Sequence, residues 1–199
     1  MGRILQTAIS AMLLSGVCAV TVMADTDRGV DLYRQARFAD AQSELTKVLQ
    51  DTPNDARAHR YLGLALVEQH KPSDAASHLN RANELDPSGE NKLALARLYV
   101  EQKDYDKAQA SLDGADGPDR DYVRGLLQLG RQQNSEAAAS LESYLQKNPD
   151  NAYAHYYAGL AYNAAKRPDK MLTQFELFLR LRPDAPEAKK VRAVLSTGH

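Results

Sequence analysis

Cysteine is nearly absent from this chain, and large aromatic side chains are scarce. Its 199 residues include one Cys, three Phe and no Trp, so a framework of disulfide bonds is excluded and stability must come from packing. The formal net charge of −1 at pH 7 lacks the basic surplus expected for binding to nucleic acid or anionic lipid. Leu and small residues supply most of the apolar content, which favours closely packed helices over β structure.

The N-terminal segment differs from the remainder of the chain in its charge. Arg3 is followed by a run from Ile4 to Val22 without a charged residue, and Ala24 then precedes Asp25. This layout is typical of a secretory signal peptide, so we expect residues 1–24 to be removed by cleavage after Ala24. The protein is therefore expected to be exported, with the periplasm as its compartment and secretion as an alternative.

Two other interpretations of this segment remain open. It could be retained as an N-terminal membrane anchor, because the apolar run is nearly long enough to span a bilayer, although Gln6 and Ser10 make it a poor one. Lipidation of Cys18 is the other, and the bulky Val17 before it fits that signal badly. Contact with a membrane is expected only if the segment is retained. Cleavage would instead remove the single cysteine and, with it, any thiol chemistry.

Prolines and glycines mark an internal repeat. Four prolines form two pairs that are 34 residues apart: Pro53 with Pro87, and Pro149 with Pro183. Glycines show the same spacing in two further pairs: Gly29 with Gly63, and Gly125 with Gly159. Aligning these positions divides residues 25–199 into five units and a final helix: 25–55, 56–88, 89–117, 118–151, 152–184 and 186–196.

Each unit has the pattern of two helices. In the second unit, a dense apolar run at residues 61–67 precedes an amphipathic pattern that begins at Ala75, and Pro72 suits the first position of that second helix. A glycine inside a helix costs roughly 1 kcal/mol relative to alanine, so the recurring glycine predicts that another helix approaches closely there. We expect it to face the small residues that recur in the second helices: Ala41, Ala75, Ala108 and Ala137.

Together these features resemble the tetratricopeptide repeat (TPR) family. They comprise the helix–turn–helix period of 34 residues, the recurring Gly and Ala, an aromatic residue before the second helix (Phe38, Tyr105) and a closing proline. The likeness covers nearly all of residues 25–183, with a shorter third unit. It implies an all-α fold, a right-handed superhelical solenoid of five helix pairs whose first helices line a concave groove, followed by a C-terminal capping helix.

The resemblance also implies where a partner binds, because the groove residues of the family come from the first helix of each unit. Matched by register, the candidates are Val30, Arg60, Leu64, Arg97, Tyr122, Leu126, Tyr153, Tyr156, Leu160 and Asn163. Some family members clamp a carboxylate with Lys and Asn, but Thr26 and Val30 stand at those positions of the first unit. Because the strip combines tyrosines with two arginines, we expect a ligand that is apolar with some negative charge. Tyr157 and Tyr162 are expected to fill space between helices.

The sequence shows no catalytic or cofactor site. It lacks a G-x-S-x-G nucleophile motif, and no strand precedes a glycine-rich phosphate loop. His59 and His155 recur at equivalent positions without metal-ligand spacing, so we expect them to be packing or surface residues. The acidic stretch from Asp113 to Asp121 lacks EF-hand spacing and is expected to be a connector. We therefore predict no enzyme activity, no cofactor, no metal and no small-molecule substrate.

The predicted function is a non-catalytic scaffold or adaptor of the cell envelope. Its partner would be a peptide or helix of another, envelope-associated protein, bound in the concave groove, and nucleic acid is not expected as a partner. Two alternatives remain open. One is a metal-dependent or enzymatic factor built on the solenoid, motivated by the two histidines and the acidic stretch. The other is a structural envelope protein that self-assembles through its exposed end helices.

Overall fold

The computed structural model of the protein describes residues 26–197, and these residues form eleven α-helices and no strand. The expected signal peptide at residues 1–24, with its cleavage position and Cys18, lies outside the described residues. The first helix, α1, occupies residues 26–34. The other helices are α2 (Phe38–Asp51), α3 (Ala56–Glu68), α4 (Pro72–Leu85), α5 (Gly89–Glu101), α6 (Tyr105–Asp113), α7 (Arg120–Gly130), α8 (Asn134–Lys147), α9 (Ala152–Ala164), α10 (Pro168–Leu181) and α11 (Ala188–Thr197). No helix in this part of the chain is both long and apolar enough to cross a membrane.

The helices follow one another as five helix–turn–helix pairs, from α1/α2 to α9/α10, with α11 after the last pair. The two helices of a pair pack against each other, and the first helices of successive pairs also contact one another, α3 with α5, α5 with α7 and α7 with α9. These first helices form the inner row of the array. The predicted all-α helical repeat fold is thereby confirmed. The third pair is short because α6 has 9 residues, whereas α2, α4, α8 and α10 have 14.

A residue with left-handed backbone conformation ends every first helix. These residues have φ between 54° and 61° and are Ala36, His70, Lys103, Gln132 and Lys166. After α3, the N–H of His70 donates to the carbonyl of Val67 and that of Lys71 to the carbonyl of Leu66, which satisfies groups that a helix end leaves unpaired. Because none of the five residues is glycine, their types did not mark this turn in the sequence. Pro72 and Pro168 then begin α4 and α10.

The nearest side chain to each of the four recurring glycines is a leucine or a phenylalanine of the second helix. A Cβ atom added to Gly63 would lie 2.5 Å from Cγ of Leu79, which leaves no room for it. The same relation joins Gly29 to Leu45, Gly125 to Leu141 and Gly159 to Phe175. The glycines were expected to face the recurring alanines, and a Cβ on Gly63 would indeed lie 3.3 Å from the carbonyl oxygen of Ala75. The nearest contact is nevertheless with the residue one turn further along the second helix, because its side chain projects from the same face and reaches further. The alanines are themselves fully buried and keep the two helices close.

We predict that Gly63→Ala destabilises the protein although it improves helix propensity. The new methyl group would overlap Leu79, and overpacking of this kind costs about 1–3 kcal/mol, against a propensity gain of about 1 kcal/mol. Urea denaturation should show a lower midpoint for this variant. Gly114→Ala is the matched control, because an added Cβ there meets no atom nearer than 3.8 Å and its φ is −85°. Equal midpoints for the two variants would contradict the packing role of Gly63.

Candidate functional site

Helix α5 lies at the centre of the array, between two clusters of buried apolar residues. It contributes Leu93 to one cluster and Leu95 and Leu98 to the other. Arg97 projects from this helix into the inner surface, with only 11% of its side chain exposed. The inner surface of the solenoid is therefore organised around a cation that burial separates from water.

Arg97 contacts side chains from three other first helices. Its Nη1 donates to the hydroxyl of Tyr33 on α1 at 2.7 Å, and its Nη2 pairs closely with the carboxylate of Glu68 on α3. The guanidinium also lies over the ring of Tyr122 on α7, 5.2 Å from the ring centroid. Since Glu68 is as deeply buried as Arg97, each charge depends on the other for compensation.

The tyrosines around this pair add no charge at neutral pH. Burial raises the pKa of Tyr33, that of Tyr122 well above the usual range, and that of Tyr157 to about 12. The cluster therefore contains one cation and one anion, and their charges cancel. Arg97 is already occupied by partners within the chain and is not available to a carboxylate of a ligand.

Arg60, the other arginine of the predicted strip, is likewise paired. Its Nη1 lies 2.5 Å from a carboxylate oxygen of Glu90 and 3.4 Å from Oδ1 of Asn91, and its side chain is 11% exposed. The expectation of negative charge on the ligand depended on two free arginines. The structure pairs both, because each carboxylate stands in a neighbouring helix that only the fold brings close, so that expectation loses its basis.

The other predicted groove residues differ in how far they are exposed. Val30, Leu64, Tyr122 and Tyr156 are buried, whereas Leu126, Tyr153 and Leu160 are half-buried and Asn163 is exposed. Tyr162 is buried, as expected of a residue that fills space between helices. Four of the predicted groove residues are thus buried, so the surface open to a partner is narrower than the predicted strip.

A cavity of about 160 Å³ opens on the inner surface, at the carboxyl ends of α3, α5 and α7. Its walls are mainly apolar, from Val67, Val100, Leu126, Leu129 and the ring of Tyr157. Two residues at its rim form a polar pair, in which Nδ1 of His70 lies 2.7 Å from Oε1 of Glu101. The cavity has about the size of one large apolar side chain.

Only Arg97 and Leu126 of the predicted residues line this cavity. Tyr157, predicted as a filler between helices, lines it as well. The residues that the sequence reasoning missed occupy equivalent positions in the last turns of three first helices: Val67 and Glu68, Val100 and Glu101, and Leu129 and Gly130. Their register was the signal that could have found them. It was not used because the resemblance pointed to the middle of each first helix.

The first and last repeats touch each other across the inner surface. The rings of Phe38 and Tyr153 lie 5.9 Å apart between centroids. Arg182, which follows α10, donates to the carbonyls of Gln35 and Ala36 at the end of α1. The array of five pairs therefore closes on itself, and this closure accounts for part of the burial of Tyr153.

His59 and His155, which occupy equivalent positions, each contact a residue 19 positions further along the chain. His59 Nδ1 lies 3.0 Å from Nδ1 of His78, and His155 Nδ1 lies 2.7 Å from Oε1 of Gln174. In both cases Nε2 contacts a proline carbonyl from the preceding loop. Between residues 26 and 197 the structure brings no three His, Cys, Asp or Glu side chains into a metal-binding group. These contacts indicate that the histidines fasten a loop to a helix pair.

Removing Arg97 alone should be strongly destabilising. Arg97→Met would leave Glu68 buried without its cation, which costs about 3–5 kcal/mol of unfolding free energy. In the double variant Arg97→Met, Glu68→Leu no charge remains buried, so we expect it to regain more than half of that loss. Urea denaturation of Arg97→Met, Glu68→Leu, the double variant and the wild type measures the coupling energy between the two charges. A double variant no more stable than Arg97→Met would show that Glu68 does not compensate Arg97.

The contact between His59 and His78 should make stability depend on pH. Burial, and then the neighbouring His59, lower the pKa of His78 below its ordinary value of 6.5. The unfolded chain therefore binds the proton more readily. Stability should fall as the pH drops through 6.5 and level off below the pKa of the folded state.

The variant His78→Gln copies the pair formed by His155 and Gln174, and we expect it to lose this decline. Urea midpoints for wild type and variant, measured from pH 8 down to pH 5, give the comparison. The same loss of stability in both proteins would show that His78 is not its source.

These repeats match models of a known protein family. One model of the tetratricopeptide repeat matches residues 26–90 and 122–186, and a second matches residues 66–129. Among curated proteins, Peroxisome biogenesis protein 5 of Arabidopsis thaliana is 26% identical over 158 residues. That alignment covers 74% of this chain and 21% of the relative, so the chain spans about a fifth of that protein's length.

Two solved structures share the fold at low sequence identity. TTC0263, a thermophilic TPR protein of Thermus thermophilus, has a TM-score of 0.66 and 18% identity, over 87% of this chain and 98% of that one. PilF of Pseudomonas aeruginosa has a TM-score of 0.56 and 20% identity, over 82% of this chain and 78% of that one. The family consists generally of non-catalytic scaffolds, and its fold supports a role in protein–protein interaction. With most of its length matched by the repeat models, the chain belongs to the tetratricopeptide repeat family.

Proposed function

We propose that this protein is a non-catalytic adaptor that binds a peptide or helix of another protein on its inner surface. The observation that carries the proposal is the cavity formed by the last turns of α3, α5 and α7, with its apolar walls and its opening to solvent. Three successive repeats contribute equivalent positions to it. A partner that follows the solenoid could therefore meet the same kind of surface at each step.

The chemistry of the cavity favours an apolar anchor over a charged one. Arg97 and Glu68 neutralise each other at its base, so no single charge is left there to recognise a ligand. Val100, Leu126 and Leu129 would bury an aliphatic or aromatic side chain of the partner, and His70 with Glu101 would contact polar groups beside it. Deeply seated anchors of this kind supply most of the affinity in protein interfaces.

One anchor by itself would give weak binding. Burying a single large apolar side chain contributes about 1.5–3 kcal/mol, whereas micromolar affinity requires about 8 kcal/mol. The partner must therefore make further contacts along the inner surface. Half-buried Leu160 and exposed Asn163 on α9 are available for them. This need favours an extended peptide or a helix over a small molecule.

We further propose that the protein acts in the cell envelope, after export. The proposal is supported by the uncharged run after Arg3 and the small residue Ala24 before Asp25. Mass spectrometry of the protein isolated from the periplasm should find Asp25 at its N-terminus. A chain that keeps residues 1–24 and stays in the cytoplasm would refute this part of the proposal, whereas retention in the membrane fraction would support the anchor alternative.

Leu126→Gln should weaken the binding of peptides to the inner surface. A displayed library of random peptides would be selected on the wild type, and the enriched peptides would then be measured against variants by fluorescence polarisation. We expect Leu126→Gln to weaken binding at least tenfold, because it places an amide in the apolar wall.

Leu172→Gln is the matched control for this experiment. Leu172 is a leucine of α10 that is 36% exposed and does not line the cavity, so the same chemical change there should leave affinity unaltered. Circular dichroism of both variants checks that the helices remain folded. Equal affinity of the wild type and both variants would show that the enriched peptides bind elsewhere and would refute the groove assignment.

A further inference from the structure

We propose that Arg182 is a latch that holds the first and last repeats together, and that its release widens access to the inner surface. This inference rests on the proposed function, because it concerns how the same binding surface is regulated. It begins from contacts between residues that are 146 and 147 positions apart in the chain. All other extensive contacts between the helices from α2 onward join elements of the same or adjacent repeats.

The latch binds the end of α1 through backbone carbonyls. Arg182 donates from Nη1 to the carbonyl of Gln35 and from Nη2 to the carbonyl of Ala36, the latter at 3.4 Å. Carbonyls at a helix end have no partner within the helix, and a cation there also meets the negative end of the helix dipole. The turn presents them outward because Ala36 has the left-handed conformation, with φ of 54°.

Aromatic rings make the second part of the closure. Phe38 stands at the start of α2 and lies 5.6 Å from Tyr33 and 5.9 Å from Tyr153, between ring centroids. Tyr153 in turn contacts Phe178 of α10 at 6.1 Å, and its hydroxyl donates to Glu187 at 3.3 Å.

Between the described residues of the first and fifth repeats, the closure thus rests on one guanidinium group and one ring pair, which is far less than the packing between neighbouring repeats. The hydrogen bond from Arg97 to Tyr33 joins the first repeat to the third and need not break when the ends separate. The closure can therefore open while every repeat stays folded.

Closure limits what a partner can reach. With the ends joined, Phe38 and Tyr153 are half-buried against each other, and Tyr156 beside them is 9% exposed. The cavity at the carboxyl ends of α3, α5 and α7 stays open in the closed form. A partner anchored in the cavity could add contacts with Phe38, Tyr153 and Tyr156 only after the ends separate. The apparent dissociation constant would then be that of the open form divided by the fraction of molecules that are open. Weakening the latch raises this fraction and should therefore tighten binding.

Arg182→Gln in the full chain tests the latch, and Lys189→Gln is its matched control. Lys189 is an exposed cation on α11, so this control removes the same charge without touching the closure. Spin labels at Arg34→Cys and Asp184→Cys, in a Cys18→Ser background, would report the distance between the ends by double electron–electron resonance. We expect a short distance in the wild type and in Lys189→Gln, and an added longer population in Arg182→Gln. Identical distance distributions in all three would overturn the proposal.

A binding measurement separates this proposal from the one on which it rests. The probe is the peptide most enriched on the wild type in the library selection, or Nile red if no peptide is enriched. We expect Arg182→Gln to bind the probe about three- to tenfold more tightly, as a closed population of most molecules implies. Opening without tighter binding would overturn the regulatory role. Loss of binding in Leu126→Gln without any effect of Arg182→Gln would support the adaptor function and overturn the latch.

Discussion

The insertion of one large side chain against a glycine backbone is the interaction on which the helix pairs depend. Leu79 rests on Gly63, and three of the other four pairs repeat this contact with a leucine or a phenylalanine. It brings the two helices of a pair into close contact. Because each repeat of such an array packs mainly against its neighbours, this local geometry propagates into the curvature of the whole solenoid. The curvature brings the fifth repeat back to the first.

Curvature converts the inner row of helices into a crowded polar and aromatic interior. Arg97 lies within this interior. Here it is enclosed by Tyr33, Glu68 and Tyr122, and its charge is balanced within the chain. The inner surface consequently has an apolar cavity near the carboxyl ends of three helices, where Arg97 and Glu68 neutralise each other. Under the proposed function, recognition of a partner would depend on shape and apolar burial.

Much of the fold could be predicted because the same residue spacing recurs in several repeats. A single glycine in a helix is ambiguous, but Gly29, Gly63, Gly125 and Gly159 at one register exclude chance and identify helix pairs. The cavity was less predictable. The register located the first helices as the inner row, and the family resemblance assigned the binding strip to their middle, where tyrosine rings and the Arg97 pair lie. That assignment stays a prediction. The last-turn residues Val67, Val100 and Leu129, which line the cavity, have the same types as core residues and carry no separate signal.

The sequence by itself determined the helices, their pairing into repeats and the mainly apolar character of the faces between them. It also showed no recognisable catalytic motif. These properties depend on residues a few positions apart, or one repeat apart, so spacing alone reveals them. Tertiary structure alone decided which side chain each glycine receives, which carboxylates neutralise Arg60 and Arg97, and that Arg182 meets Gln35. The contact between Arg182 and Gln35 joins residues through the accumulated curvature of several repeats, so small errors in the angle of each step make it unreadable from sequence. The other relations join helices of one repeat or of adjacent repeats, but they depend on how side chains from two helix surfaces meet, which residue spacing does not specify.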